Sequence, residues 1–180
     1  LYGQQEKSLA YKAGWSDQES RDFFASYHGA RPFVKTTMEA TQSEVQFQGY
    51  ITTVLGRRIR FNRWEALRYQ ERDGRAYTYE EAIRRHGPMI RRAGAYKSIN
   101  YRFQGSAADV LKKGMIDCFE SGVFDYTGYP KLTVHDELDW SKPDDTKAMN
   151  DAFAYITHRM ETAIQLRVPL KVDSSEGANW

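Results

Sequence analysis

The chain has 180 residues, 41% hydrophobic and 28% charged, the balance of a soluble globular protein with room for one domain or two small ones. No run of about 18 apolar residues occurs, which excludes a membrane-spanning helix, and the polar stretch Gln4-Gln5-Glu6-Lys7 lacks the apolar core of a signal peptide. Cys118 is the only cysteine, so no internal disulfide forms and a reducing cytoplasm is expected.

A net charge of +2 hides an uneven distribution. Between Arg57 and Lys113 there are 15 Lys and Arg against 6 Asp and Glu, a local balance of +9. The remainder, 11 basic against 18 acidic, stands at −7. A basic middle beside an acidic C-terminal part suits either a polyanion track next to a metal site or a solvated face.

Gln5 to Ala13 reads as a short helix closed by Gly14. Ser16 and Glu19 form a capping box for the next helix, in which Phe23, Phe24 and Tyr27 recur at helical spacing until His28-Gly29-Ala30-Arg31-Pro32 breaks it. Phe33 to about Gln46 is a third helix, with Val34, Met38 and Val45 on one face. The period then shortens. Tyr50 to Val54 and Arg57 to Phe61 flank Leu55-Gly56 as a hairpin with a basic second strand. From Trp64 to Pro88 the chain is charged and aromatic, with a turn at Asp73-Gly74 and a short helix over 79–85.

A helix is expected from Ser106 to about Glu120, with Ala107, Val110, Leu111, Met115 and Cys118 as its apolar stripe. Lys131 to Val134 and Glu137 to Trp140 flank His135-Asp136 as a tight hairpin. A long helix is expected from about Asp144 to Leu166, followed by an edge strand from Val168 to Val172.

The segment Thr133-Val134-His135-Asp136-Glu137-Leu138 carries the most pointed chemistry. A strand entering a two-residue turn holds the turn side chains outward on a rigid support. Asp136 and Glu137 there supply the hard oxygen donors that Mg²⁺ prefers. Two such ions about 3.5–4 Å apart stabilise the attacking and leaving oxygens of phosphoryl transfer. A solvated acidic turn is the plainer alternative.

Several segments resemble family A DNA polymerases in the order that family uses. They are Leu1-Tyr2-Gly3, Leu55-Gly56-Arg57-Arg58, the block from Ser98 to Asp109 with its Asn100 and Gln104-Gly105, Val134-His135-Asp136-Glu137, and the closing Val168-Pro169-Leu170 with Gly177-Ala178-Asn179-Trp180. The charged stretch between Phe61 and Arg91 makes the chain most like phage-type relatives of bacterial DNA polymerase I. Three departures stand out: Tyr96 where many members carry arginine, with Lys97 beside it; Asp139 where the family continues apolar; and an end at Trp180.

The resemblance implies an α+β architecture, with a helical fingers remnant over 1–90 and, over 91–180, an antiparallel palm sheet packed on two long helices. It implies DNA-templated DNA synthesis by two-metal nucleotidyl transfer. Asp136 and Glu137 would be catalytic and metal-binding, with two Mg²⁺ in the complete enzyme. His135 would touch the primer strand, and Tyr2 and Gly3 would stand at the insertion site. Asn100 and Gln104 would touch the minor groove of the new base pair, where every pair offers acceptors and an amide checks shape without reading sequence. Arg57, Arg58, Lys97 and Arg102 would contact phosphates, while Arg60 and Arg63 read as solvated surface.

The implied partners are primer-template DNA, dNTPs, and thumb, palm and fingers segments of the same polymerase preceding Leu1, with no membrane. The setting is the cytoplasm of a bacterial or phage-infected cell. Without the first palm aspartate the chain is expected to be inactive alone. Two alternatives remain, a single-subunit RNA polymerase fragment and a non-catalytic nucleic-acid-binding module.

Overall fold

The computed structural model describes residues 6–178. The chain is α+β, with seven α-helices and three two-stranded antiparallel pairs among the described residues. It divides into two compact units, 1–104 and 105–180. The expected boundary at residue 90 falls inside the first unit; the observed one lies within a helix. Among the described residues, no helix is long and apolar enough to cross a membrane.

In the first unit, α1 (Glu6–Ala13) ends before Gly14, and Trp15 N–H closes the turn on Ala10 C=O. Next comes α2 (Asp17–Ala30), started by the expected capping box. Ser16 Oγ accepts from Glu19 N–H at 3.2 Å, and Glu19 accepts from Ser16 N–H at 2.8 Å. The Ser16 N–H first, and then the Ser16 hydroxyl donating to the same carboxylate at 2.8 Å, hold the Glu19 carboxyl below its ordinary value. Pro32 opens α3 (Pro32–Gln48), whose inward face holds buried Thr41 and Val45 with half-buried Val34 and Met38.

Gly49 ends α3 in the left-handed region at φ 81°. A side chain there would also collide with Arg92, whose guanidinium carbon lies 2.6 Å from the position a Cβ would take. The left-handed backbone is what calls for glycine; a Cβ would in addition oblige the Arg92 side chain to shift.

Strands β1 (Tyr50–Thr52) and β2 (Arg58–Arg60) pair with Ile51 opposite Ile59. Ile51, Val45, Phe61 and Ala95 form the core of this unit. The charged stretch after Phe61 is ordered by pairing of β3 (Trp64–Ala66) with β4 (Ile90–Arg92), Glu65 facing Arg91. Their side chains form an ion pair at 3.1 Å. Between the strands lies α4 (Tyr79–His86), which a second capping box begins at Thr78 and Glu81.

Helix α5 (Ser98–Glu120) begins well before the expected Ser106, immediately after a 3-10 turn over Ala95–Lys97. Its later turns belong to the second unit, where Gly114 lets the chain pack against Met160, 3.3 Å from the place of a Cβ. Then follow the short α6 (Val123–Thr127), the hairpin β5 (Leu132–Val134) and β6 (Glu137–Asp139), and α7 (Lys147–Glu161). Cys118, Phe124 and Ile156 make the core of this unit, with Trp140, Phe153 and Met160 against it.

Two expected extents are corrected. Helix α7 is shorter than 144–166 because Thr146 is its cap, and Asp144 accepts bonds from the Thr146 hydroxyl and N–H outside the helix. No strand forms at 168–172, where Val172 N–H donates to the Glu161 carboxylate at 3.1 Å instead of to a neighbouring strand. Pro169 has no N–H to offer.

Candidate functional site

The candidate residues fall into two groups, one in each unit. In the second unit the pairing Val134↔Glu137 leaves His135-Asp136 as a two-residue turn. His135 has φ 52°, the only non-glycine positive φ among the described residues. A left-handed residue with a side chain costs free energy, of the order of 1–2 kcal/mol, and such positions cluster at functional sites. His135, Asp136 and Glu137 all face solvent. The support lies at the hairpin base. Lys131 N–H extends the ladder to Asp139 C=O at 2.7 Å. Trp140, the next residue, donates its indole N–H to Gly128 C=O at 3.1 Å and meets Phe153 edge to face. The acidic tip therefore stands on a half-buried aromatic base packed against the core.

Asp136 and Glu137 are adjacent and exposed, a pair of carboxylate donors that fits part of an octahedral Mg²⁺ shell. Among the described residues no three His, Cys, Asp or Glu side chains gather closely enough to hold a metal. The pair would need oxygens from elsewhere, such as water, phosphate or a carboxylate on another segment. At Asp139, one carboxylate oxygen is buried without a hydrogen-bond partner.

The first unit carries the basic group. Arg57 lies in the β1–β2 turn and Arg58 on β2, both exposed, with the Arg58 guanidinium 4.7 Å above the Tyr50 ring. The Lys97 ammonium sits 5.6 Å over Tyr96, also at the surface. Asn100 and Gln104 are one helical turn apart on α5, the first half-buried and the second exposed. Arg102, between them in sequence, is turned inward. Its guanidinium donates to Glu44 Oε2 at 2.6 Å, Thr52 C=O at 3.2 Å and Thr41 Oγ1 at 3.4 Å. Thr52 faces Arg58 across the hairpin, so this grip joins the basic strand to the helix bearing both amides.

Glu44 and Thr41 escaped the sequence reading. They lie 58 and 61 positions from Arg102, and no local pattern links them. Arg92 was also missed. It stacks 4.6 Å over Trp64, donates to Phe61 C=O at 2.9 Å, and exchanges backbone bonds with the Gln46 amide. Tyr2 and Gly3 lie outside the described residues, as do Asn179 and Trp180.

Comparison with known proteins gives a consistent result. DNA polymerase I of Rhizobium leguminosarum is 30% identical over 186 residues, covering 100% of this chain and 16% of that protein. DNA polymerase I of Bacillus caldotenax is 31% identical over 182 residues, again across 100% of this chain and 18% of the relative. The chain thus spans less than a fifth of the length of these two relatives. Among solved structures, the polymerase domain of Pol1 from M. smegmatis, in complex with DNA primer-template and dNTP, matches with a TM-score of 0.68 at 25% identity. That match covers 94% of this chain and 26% of the other. The family model for DNA polymerase family A matches residues 1–180, and the chain belongs to that family.

Proposed function

We propose that the chain contributes to DNA-templated DNA synthesis as the part of a larger polymerase that carries the acidic palm hairpin and part of the fingers. The observation that carries this reading is the tip at 135–137. Two exposed carboxylates stand on a two-residue turn whose first residue is held at φ 52° above a core-anchored base. A positive φ is what a two-residue hairpin turn asks of its first residue, and here it fixes the direction in which the tip side chains leave the strands.

In this reading Asp136 holds magnesium, with Glu137 beside it near the primer end. Bound Mg²⁺ lowers the cost of the charge that develops on the α-phosphate as the primer 3′-hydroxyl attacks. A second carboxylate, from the length of the relatives that this chain does not span, completes the set for two ions. His135 touches the primer strand from the turn. Arg57, Arg58 and Lys97 bind phosphates in a salt-dependent, sequence-independent way. Their exposure in the first unit supports that role. Asn100 and Gln104 meet the minor-groove acceptors of the new pair. Tyr2 and Gly3 keep their place at the insertion site by resemblance alone.

The M. smegmatis neighbour, bound to primer-template and dNTP, supports the same classes of partner. The stretch 62–90 is the feature that favours a phage-type member, working in the cytoplasm of a bacterial or infected cell.

The test is Asp136→Ala in the intact polymerase that carries this chain. Mg²⁺-dependent extension with dNTPs is expected to disappear while primer-template affinity stays within a few-fold. Extension at the normal rate would remove the assignment, and a preference for rNTPs would redirect it to RNA synthesis.

A further inference from the structure

Arg102 presents a conflict between its type and its surroundings. An arginine in a basic segment reads as a phosphate contact, yet this one points inward. On α5 Ser98 and Ile99 are buried, and Arg102 lies on the same side of the helix. Two residues along a helix correspond to a rotation of about 160° the short way round, so Asn100 and Gln104 both lie on the face opposite Arg102. The guanidinium is a planar fork of five N–H donors. Here it reaches a carboxylate on α3, a hydroxyl on α3 and a backbone carbonyl on β1. A phosphate brought to the same guanidinium would meet the Glu44 carboxylate at its side, and like charges at that range repel.

We propose that Arg102 is a positioning residue that clamps the first turns of α5 onto α3 and β1, fixing the height at which Asn100 and Gln104 meet the edge of the new base pair. This rests on the minor-groove assignment of those two amides. The reasoning is geometric. Both amides belong to the first two turns of α5. The 3-10 turn before it, Ala95–Lys97, begins at Gly94 with no side-chain cap. Burial of Ser98 and Ile99 and the bonds of Arg102 to Glu44, Thr41 and Thr52 hold this end. Glu44 and Thr41 stand one turn apart on α3, so the fork spans adjacent rows of that helix and resists rotation as well as lifting. Misplacing a contact by about 1 Å can cost a hundredfold in rate. A polymerase that checks base-pair shape through two amides would register such a shift as lost discrimination rather than lost affinity.

The experiment uses the intact polymerase with Arg102→Met, Arg102→Lys, Glu44→Gln and the double change R102M/E44Q. Single-nucleotide incorporation opposite matched and mismatched template bases is measured, together with the salt dependence of primer-template binding. Arg102→Met is expected to lower the matched-to-mismatched ratio about tenfold or more, through kcat, with the slope of log affinity against log salt unchanged. Glu44→Gln should shift the ratio in the same direction, the double variant should go little beyond R102M, and Arg102→Lys should recover part of the loss.

If the salt slope instead falls by about 1 in R102M and E44Q is silent, Arg102 is a phosphate contact and the proposal fails. It fails equally if neither single variant moves the ratio. Should R102M not fold, the nearly isosteric E44Q carries the test alone. Asp136→Ala assayed alongside separates the two readings. Extension that survives it overturns the polymerase assignment, whatever Arg102 does.

Discussion

In the basic hairpin, Ile51 of β1 is wholly buried, and the loop between the strands is closed by bonds between Thr53 N–H and Arg57 C=O and between Gly56 N–H and Thr53 C=O. In the acidic hairpin, neither strand buries a residue, and its support comes from Trp140 just beyond it. The first is part of a core that happens to carry arginines outward. The second is a short projection whose rigidity is imported from its base. A binding surface that grips a repetitive backbone tolerates small movements, since charge acts over the Debye length of about 8–10 Å. A metal-holding tip tolerates much less, because its ligand distances are fixed within tenths of an ångström. The two constructions suit those two demands.

Removing the imported support should have the largest effect. Trp140→Ala deletes an indole that packs on Phe124 and Phe153 and donates to Gly128, and is expected to destabilise the second unit by about 3 kcal/mol. Denaturant unfolding followed through that unit would show it; a loss below about 1 kcal/mol would mean that the hairpin stands without its base.

A smaller effect of opposite sign is expected at the tip. His135→Gly relieves a left-handed residue and should raise stability slightly, by up to about 1 kcal/mol, while lowering primer extension. A gain in stability with unchanged extension would make the strain incidental.

The least effect is a pH response of two helices in the first unit. Glu19 and Glu81 are held below the ordinary 4.5 chiefly by backbone N–H groups of Ser16 and Thr78. A carboxyl lowered by folding contributes stability that is complete above its unfolded value and lost as pH falls through the folded one. Helicity of α2 and α4 should therefore hold down to about pH 5 and decline below it. Helix α7, capped by the Thr146 hydroxyl with Met149 at the third position, has no such carboxyl at its start; its Glu161, lowered chiefly by the Val172 N–H, lies at the other end. Circular dichroism of Glu19→Gln and Glu81→Gln variants checks this, since each removes the titrating carboxyl and should lose its share of the acid sensitivity.

What was legible in the sequence was local. Ser16 with Glu19, Leu55-Gly56 between β-branched and alternating segments, and His135-Asp136 between two short strands each announce themselves within a few residues. What escaped was set by distant partners. The start of α5 contains Asn100, Tyr101, Arg102 and Phe103, which offer no apolar stripe until Arg102 is seen paired with Glu44. The pairing of β3 with β4 joins charged residues across the whole α4 segment, where alternation is masked by the Glu65–Arg91 ion pair. At 168–172 the pattern favoured a strand, but an extended segment needs a neighbour to become one. The acidic tip was readable because its geometry is a two-residue turn. The inward turn of Arg102 was not, because residue type says nothing about direction.

The pairing of β3 and β4 has a consequence for how the chain tolerates change. Ala93 N–H bonds to Arg63 C=O at 2.8 Å, and Arg92 reaches back to Phe61 C=O, so the path out of the core and the path back meet at a single doorway. Closing a loop costs free energy that grows only with the logarithm of its length. Everything beyond that doorway can therefore be lengthened, shortened or exchanged for a plain turn while Ile51 and Phe61 stay where they are, which makes the segment a natural place for related polymerases to differ.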